Sequence, residues 1–193
     1  MRPTAARRSS PGVTALRAVA LLAIAGLTVG CGDGSDERTA RPADAVPVTT
    51  AHATTDEPQL PVIVDGADGR RVTVSDVSRI VALNGNIAEV VFALGMGDRV
   101  VGRDVSTTFE EAADLPLVTR AHDVSAESVL SLRPTVVLAD TDSGPPEALD
   151  HIRNVGVPVV VFDVADRVEE VGARIRAVAR ALGVGDAGDA LAD

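Results

Sequence analysis

Side chains able to do chemistry are few in this chain: one cysteine, three histidines, eighteen basic residues that are all arginine, and no lysine, tyrosine or tryptophan. Cys31 has no second cysteine to pair with, so an intrachain disulfide is excluded and the interior must hold by packing. His122, in the run Arg120-Ala121-His122-Asp123, offers a neutral imidazole suited to binding a transition metal. On position alone it reads first as a solvated loop histidine hydrogen-bonded to Asp123. Arg103 and Arg120 carry guanidiniums, which either grip a ligand carboxylate bidentately or pair with surface acids. Glu127 opens an apolar helical run, where an acid in the first turn gains a few tenths to about 1 kcal/mol from the helix dipole. His52, in a polar stretch, and His151, on a helix, both read as solvated.

Several familiar motifs fail on their context. Gly183-Val184-Gly185-Asp186-Ala187-Gly188 has the spacing of a dinucleotide turn, but it follows a helix where such a turn must follow a strand. Asp140, Asp142 and Gly144 open like a calcium loop, yet the twelfth position, where a bidentate acid belongs, is His151. A phosphate loop needs the lysine this chain lacks, and neither a G-x-S-x-G nor an H-E-x-x-H run occurs. An enzyme therefore has no nucleophile and base to work with.

The elements that position these residues begin at the amino terminus. Residues 1–17 carry Arg2, Arg7, Arg8 and Arg17 and no acid, and Ala18 to Val29 run without a charge. This is the pattern of a signal peptide, and the run is shorter than the about 20 apolar residues that span a bilayer. It ends in Leu27-Thr28-Val29-Gly30-Cys31, which resembles the lipobox of bacterial lipoproteins. That resemblance implies that Cys31 takes a diacylglyceryl group and anchors the protein at the outer face of the cytoplasmic membrane. Cleavage before Cys31 leaves 14 basic against 28 acidic residues, too acidic a surface for nucleic acid. From Gly32 to Leu60 the chain is Asp, Glu, Thr, Ala and Pro, a tether with a reach of roughly 30 Å.

Beyond the tether, Val62, Val64, Val72 and Val74 alternate with polar residues around Asp65 to Gly69, a hairpin pattern. Strand and helix then alternate: strands at 80–83, 100–102, 117–119, 135–139 and 157–162, helices carrying Ile87 to Leu94, Val129 to Leu132 and Pro146 to Asn154. Val168, Val171, Ile175, Val178 and Leu182 mark one face of a longer helix, and Ala187 to Ala192 begin another. Unbroken Val/Ile/Leu strands alternating with helices make an α/β fold with a parallel, Rossmann-like sheet. The expected organisation is a signal peptide (1–30), a tether (31–60), an α/β lobe with an N-terminal β-hairpin (61–185), and the start of a truncated interlobe helix (186–193).

Four runs then fall in a specific order: Arg79-Ile80-Val81-Ala82-Leu83, Glu89 to Gly95, Asp98-Arg99-Val100-Val101-Gly102, and Ser131-Leu132-Arg133-Pro134-Thr135-Val136-Val137. Together they resemble the first lobe of the substrate-binding proteins that deliver siderophores, cobalamin and haem to ABC importers. Gly102-Arg103-Asp104 and the stretch Leu115 to Ser125 are similar to the haemin-binding lipoproteins in particular. The resemblance implies a two-lobed periplasmic-binding-protein fold with the ligand in the interlobe cleft, and partners in a permease and its ATPase. It implies that His122 is an axial ligand to haem iron, that Arg103 and Arg120 contact the propionates, and that Glu127 docks on the permease. Haem is then a transported ligand and no catalytic cofactor. The tyrosine ligand and second docking glutamate of that family have no counterpart in this sequence, which offers one axial ligand and half a cleft. A siderophore or cobalamin receptor of the same fold is the nearer rival; a cell-envelope interaction module or an enzyme on the same lobe is the farther one.

Overall fold

The computed structural model describes residues 57–120 and 123–193, without the side chain of Arg120; the signal peptide, Cys31, His52, most of the tether and His122 lie outside the described residues. Alternating valines build the first element as expected. Strands β1 (Val62–Asp65) and β2 (Arg71–Val74) pair antiparallel with Val62 opposite Val74 and Asp65 opposite Arg71. The inward residues Val62, Val64 and Val72 pack on the main core, while the turn ties to the sheet through the Ala67 amide, 2.8 Å from the Val161 carbonyl. Two ion pairs fasten it further, Arg153 with Asp68 at 2.7 Å and Arg70 with Asp150 at 3.2 Å.

Four parallel strands form the centre: β3 (Ile80–Ala82), β4 (Val100–Arg103), β7 (Val136–Asp140) and β8 (Val159–Phe162), in the order β4-β3-β7-β8. Their side chains alternate between two cores, as a period of two demands. Ile80, Ala82, Val136, Leu138, Val160 and Phe162 face one side; Val81, Val137, Ala139, Val159 and Val161 face the other. Helix α1 (Gly85–Ala93) covers the first core with α4 (Val168–Ala181) and α5 (Gly185–Ala192); α2 (Ala126–Ser131) and α3 (Pro146–Asn154) cover the second. Pro146 occupies the first turn of α3, and Ser125 caps α2 by accepting from the Ser128 amide at 3.2 Å.

Three local expectations change. Leu117 makes only a single parallel bridge to Arg103, and the expected strand around it moves to β5 (Thr119–Arg120), which pairs antiparallel with β6 (Asp123–Val124). The apolar stripe of α4 is buried at Val178 and Leu182 but open at Val168 and Val171. Fourteen helical residues span about 21 Å, more than the roughly 13 Å of a four-residue strand, so the first turns overhang the sheet. Helix α5 begins two residues earlier than expected and folds back along α4, with Arg176 paired to Asp189 at 3.1 Å and to Asp193. Gly183 makes this reversal at φ +75°.

Candidate ligand-binding rim at the carboxyl ends of the strands

Parallel strands end on one edge, and the order β4-β3-β7-β8 puts a switch point there: the chain leaves β3 towards β4 over one face and leaves β7 towards β8 over the other. Open α/β sheets bind ligands in the crevice such a reversal leaves. On this edge each strand hands over to an Asn or Asp: Asn84 after β3, Asp104 after β4, Asp140 closing β7, and Asp163 after β8. Short polar side chains suit the position because they satisfy the backbone of the turn that follows.

Asp104, 6% exposed, shows how. Its Oδ1 accepts from the Ser106 amide at 3.1 Å, the Ser106 hydroxyl at 2.8 Å and the Thr107 hydroxyl at 3.1 Å. The Ser106 Oγ in turn accepts from the Gly85 amide at 2.8 Å, stitching the β4 loop to the start of α1. That approach is close: a Cβ on Gly85 would stand 2.6 Å from the Ser106 carbonyl oxygen. Arg103 braces the same loop from below, donating to the Thr107 carbonyl at 2.9 Å and the Ala113 carbonyl at 3.0 Å. Two of its nitrogens are thus committed to backbone, while its buried Nε has no partner.

The β5–β6 hairpin hangs between two of these loops. On one side the Thr119 hydroxyl accepts from the Val105 amide at 3.0 Å, and the Val118 amide donates to the Arg103 carbonyl at 3.0 Å. On the other the Val124 amide donates to the Gly144 carbonyl at 2.7 Å. Arg120 pairs with Asp123 across the hairpin, so the link between them is residues 121 and 122, the position of His122. Two apolar side chains flank the hairpin in the open, Val105 at 39% and Leu117 at 50% exposure. An edge with exposed apolar residues beside backbone-satisfied loops can hold one face of a flat apolar ligand. Among the described residues no three His, Cys, Asp or Glu side chains gather to hold a bare metal ion.

Glu127 stands exposed in the first turn of α2, just beyond β6, and makes no ion pair among the described residues. His151 is exposed on α3, as a solvated residue should be. Sequence reasoning missed the most buried ion pair among the described residues. Asp140 is 2% and Arg174 8% exposed; they pair at 3.4 Å, and Arg174 also donates to the Asp163 carbonyl. The signal was available, since residue 174 lies three after Val171 and four before Val178, on the apolar stripe.

The family model described as periplasmic binding protein matches residues 80–193. The chain belongs to the periplasmic binding protein family. That family and the neighbouring structures are substrate-binding transport proteins, so the enzyme rival has no support from them. The crystal structure of the haem-binding protein HmuT superposes on 76% of this chain with a TM-score of 0.69 and 39% identity, using 47% of its own length. Forms of HmuT with a histidine, a tyrosine or an arginine replaced have also been solved. An uncharacterised ABC transporter substrate-binding lipoprotein of Bacillus subtilis, YvrC, is 28% identical over 89% of this chain and 52% of its own. A vitamin B12-binding protein of Vibrio parahaemolyticus is 26% identical over 49% of this chain and 37% of its own. The chain thus spans about half the length, or less, of the relatives it matches.

Proposed function

We propose that this chain is the first lobe of a lipid-anchored receptor that captures haem outside the cytoplasmic membrane and delivers it to an ABC permease driven by an ATPase. The observation that carries the reading is the likeness to HmuT, at 39% identity over 76% of the chain. In this reading His122, in the two-residue link between β5 and β6, gives its neutral imidazole to the haem iron. Val105 and Leu117 supply apolar contact to the porphyrin, and Arg120 a guanidinium to a propionate. Arg103 reaches a propionate only with what its bonds to the loop carbonyls leave free, which makes it the weaker of the two contacts. Lipid on Cys31 and a tether of about 30 residues keep the lobe near the permease yet free to swing. Glu127, exposed and without an ion pair among the described residues, suits a docking contact with a permease arginine.

The experiment is a haemin titration of the full-length receptor followed at the Soret band, since one lobe alone offers half a cleft and is expected to bind haemin weakly or not at all. His122→Ala is expected to shift the band and weaken binding by about tenfold or more, the loss of roughly 1.4 kcal/mol of ligation. An unchanged spectrum in that variant contradicts axial ligation. The second reading, a cobalamin receptor, is favoured by the vitamin B12-binding relative; there His122 touches the ligand without binding its metal.

A further inference from the structure

The Asp140–Arg174 pair is out of place in a core that packs by apolar side chains. Burying two charges costs several kcal/mol before their attraction is counted, and an apolar pair of the same volume commonly serves stability as well or better. A buried pair is better explained by what it fixes in place. Arg174 reaches from α4 to the rim and joins two neighbouring strand ends, donating to the Asp163 carbonyl after β8 and to the Asp140 Oδ2 that closes β7. Asp140 spends its other oxygen on the next loop: Oδ1 accepts from the Ser143 hydroxyl at 3.0 Å and the Asp142 amide at 3.2 Å, while the Ser143 Oγ accepts from the Asp140 amide at 3.1 Å. These bonds close the chain from 140 to 143 into one turn. Gly144 follows directly, and its carbonyl receives the Val124 amide at 2.7 Å, the shortest tie of the β5–β6 hairpin to the body of the lobe. Gly144 also bridges to Asp123.

We infer that Asp140 and Arg174 are positioning residues of the ligand rim: through the 140–144 turn they set where strands β5 and β6 stand on it. The pair touches no ligand. Its action is relayed by Ser143 and Gly144 to Val124, two residues from His122. That His122 meets haem rests on the function proposed above; the anchoring of β5 and β6 does not, and the two are tested apart.

Two variants separate positioning from folding. Ser143→Ala leaves the ion pair whole and removes the two Ser143 hydroxyl bonds by which Asp140 holds the turn, the Asp142 amide bond remaining. The double variant Asp140→Asn with Arg174→Met removes both charges together, so no unpaired charge stays buried. In each, amide hydrogen exchange is followed at Val124 and Ser125, with Leu94 and Met96 at the carboxyl end of α1, whose amides bond to the Val90 and Val91 carbonyls, as controls. The inference expects exchange at Val124 to quicken about tenfold or more while the controls stay within about twofold. It also expects the haemin spectrum to lose the signature seen in the unaltered protein, which a purely structural role would leave intact in a folded variant. If Val124 exchanges within about twofold of the unaltered protein in folded Ser143→Ala, the inference is overturned. If Val124 responds and the unaltered protein takes no haemin, the anchoring stands and the haem reading falls.

Discussion

Gly183 carries the reversal between α4 and α5 on a backbone conformation that other residues resist. At φ +75° a Cβ would stand 2.7 Å from the Gln59 carbonyl oxygen and 3.0 Å from its nitrogen. Gly183→Ala is expected to lower stability by about 1–3 kcal/mol in urea unfolding, since both the dihedral and the space are wrong. Two exposed carboxylates, Asp65 and Asp76, contribute to the acid limb of stability. The hydrogen bond and charge of Arg71 lower the pKa of Asp65, and the hydrogen bonds of Ser78 lower that of Asp76. A depressed folded pKa stabilises above the unfolded value of 3.8 and loses that contribution as pH falls through the folded one. Stability should therefore decline below 3.8, and Asp76→Asn should flatten that decline; an identical acid limb in the variant counts against the assignment. At this scale the sequence was readable where a residue acts on its neighbours, as Ser125 does in capping α2. For Arg174 only the burial was readable, from its place on the α4 stripe; its partners, Asp140 and Asp163, come from strand ends far along the chain and leave no local pattern.

Elements with a strong local pattern form where their residues require. The hairpin of alternating valines and the proline-started α3 need no distant partner to be recognised. The α4 stripe shows the limit of such reading, since periodicity names a face without saying how much of it meets a core. Val178 is fully buried and Val168 is 84% exposed, though both lie on the same stripe. Val178→Ala should thus cost about 1–3 kcal/mol, whereas Val168→Ser should stay within about 0.5 kcal/mol of the unaltered protein in thermal unfolding. Equal costs would mean that the overhanging turns are covered. The β5–β6 hairpin escaped for the opposite reason: two-residue strands have no period, and loops on both sides hold the pair in place.

The whole lobe follows from the alternation of apolar strands with helices, which fixes a parallel sheet and puts every strand end on one rim. Sheet order is set by tertiary packing: β3 lies inside between β4 and β7, and that arrangement makes the switch point. Family membership agrees with the resemblance carried by the runs from Arg79 to Val137, and the matched region begins at residue 80. What the rim holds is a matter of chemistry beyond the fold, because haem-binding and vitamin B12-binding proteins share the likeness. The most direct measurement is the equilibrium dissociation constant of the protein for haemin and for cobalamin, determined side by side in one buffer. A haem receptor predicts haemin the tighter by about a hundredfold or more, a gap of roughly 2.7 kcal/mol. Cobalamin binding as tightly as haemin, or more tightly, would contradict it.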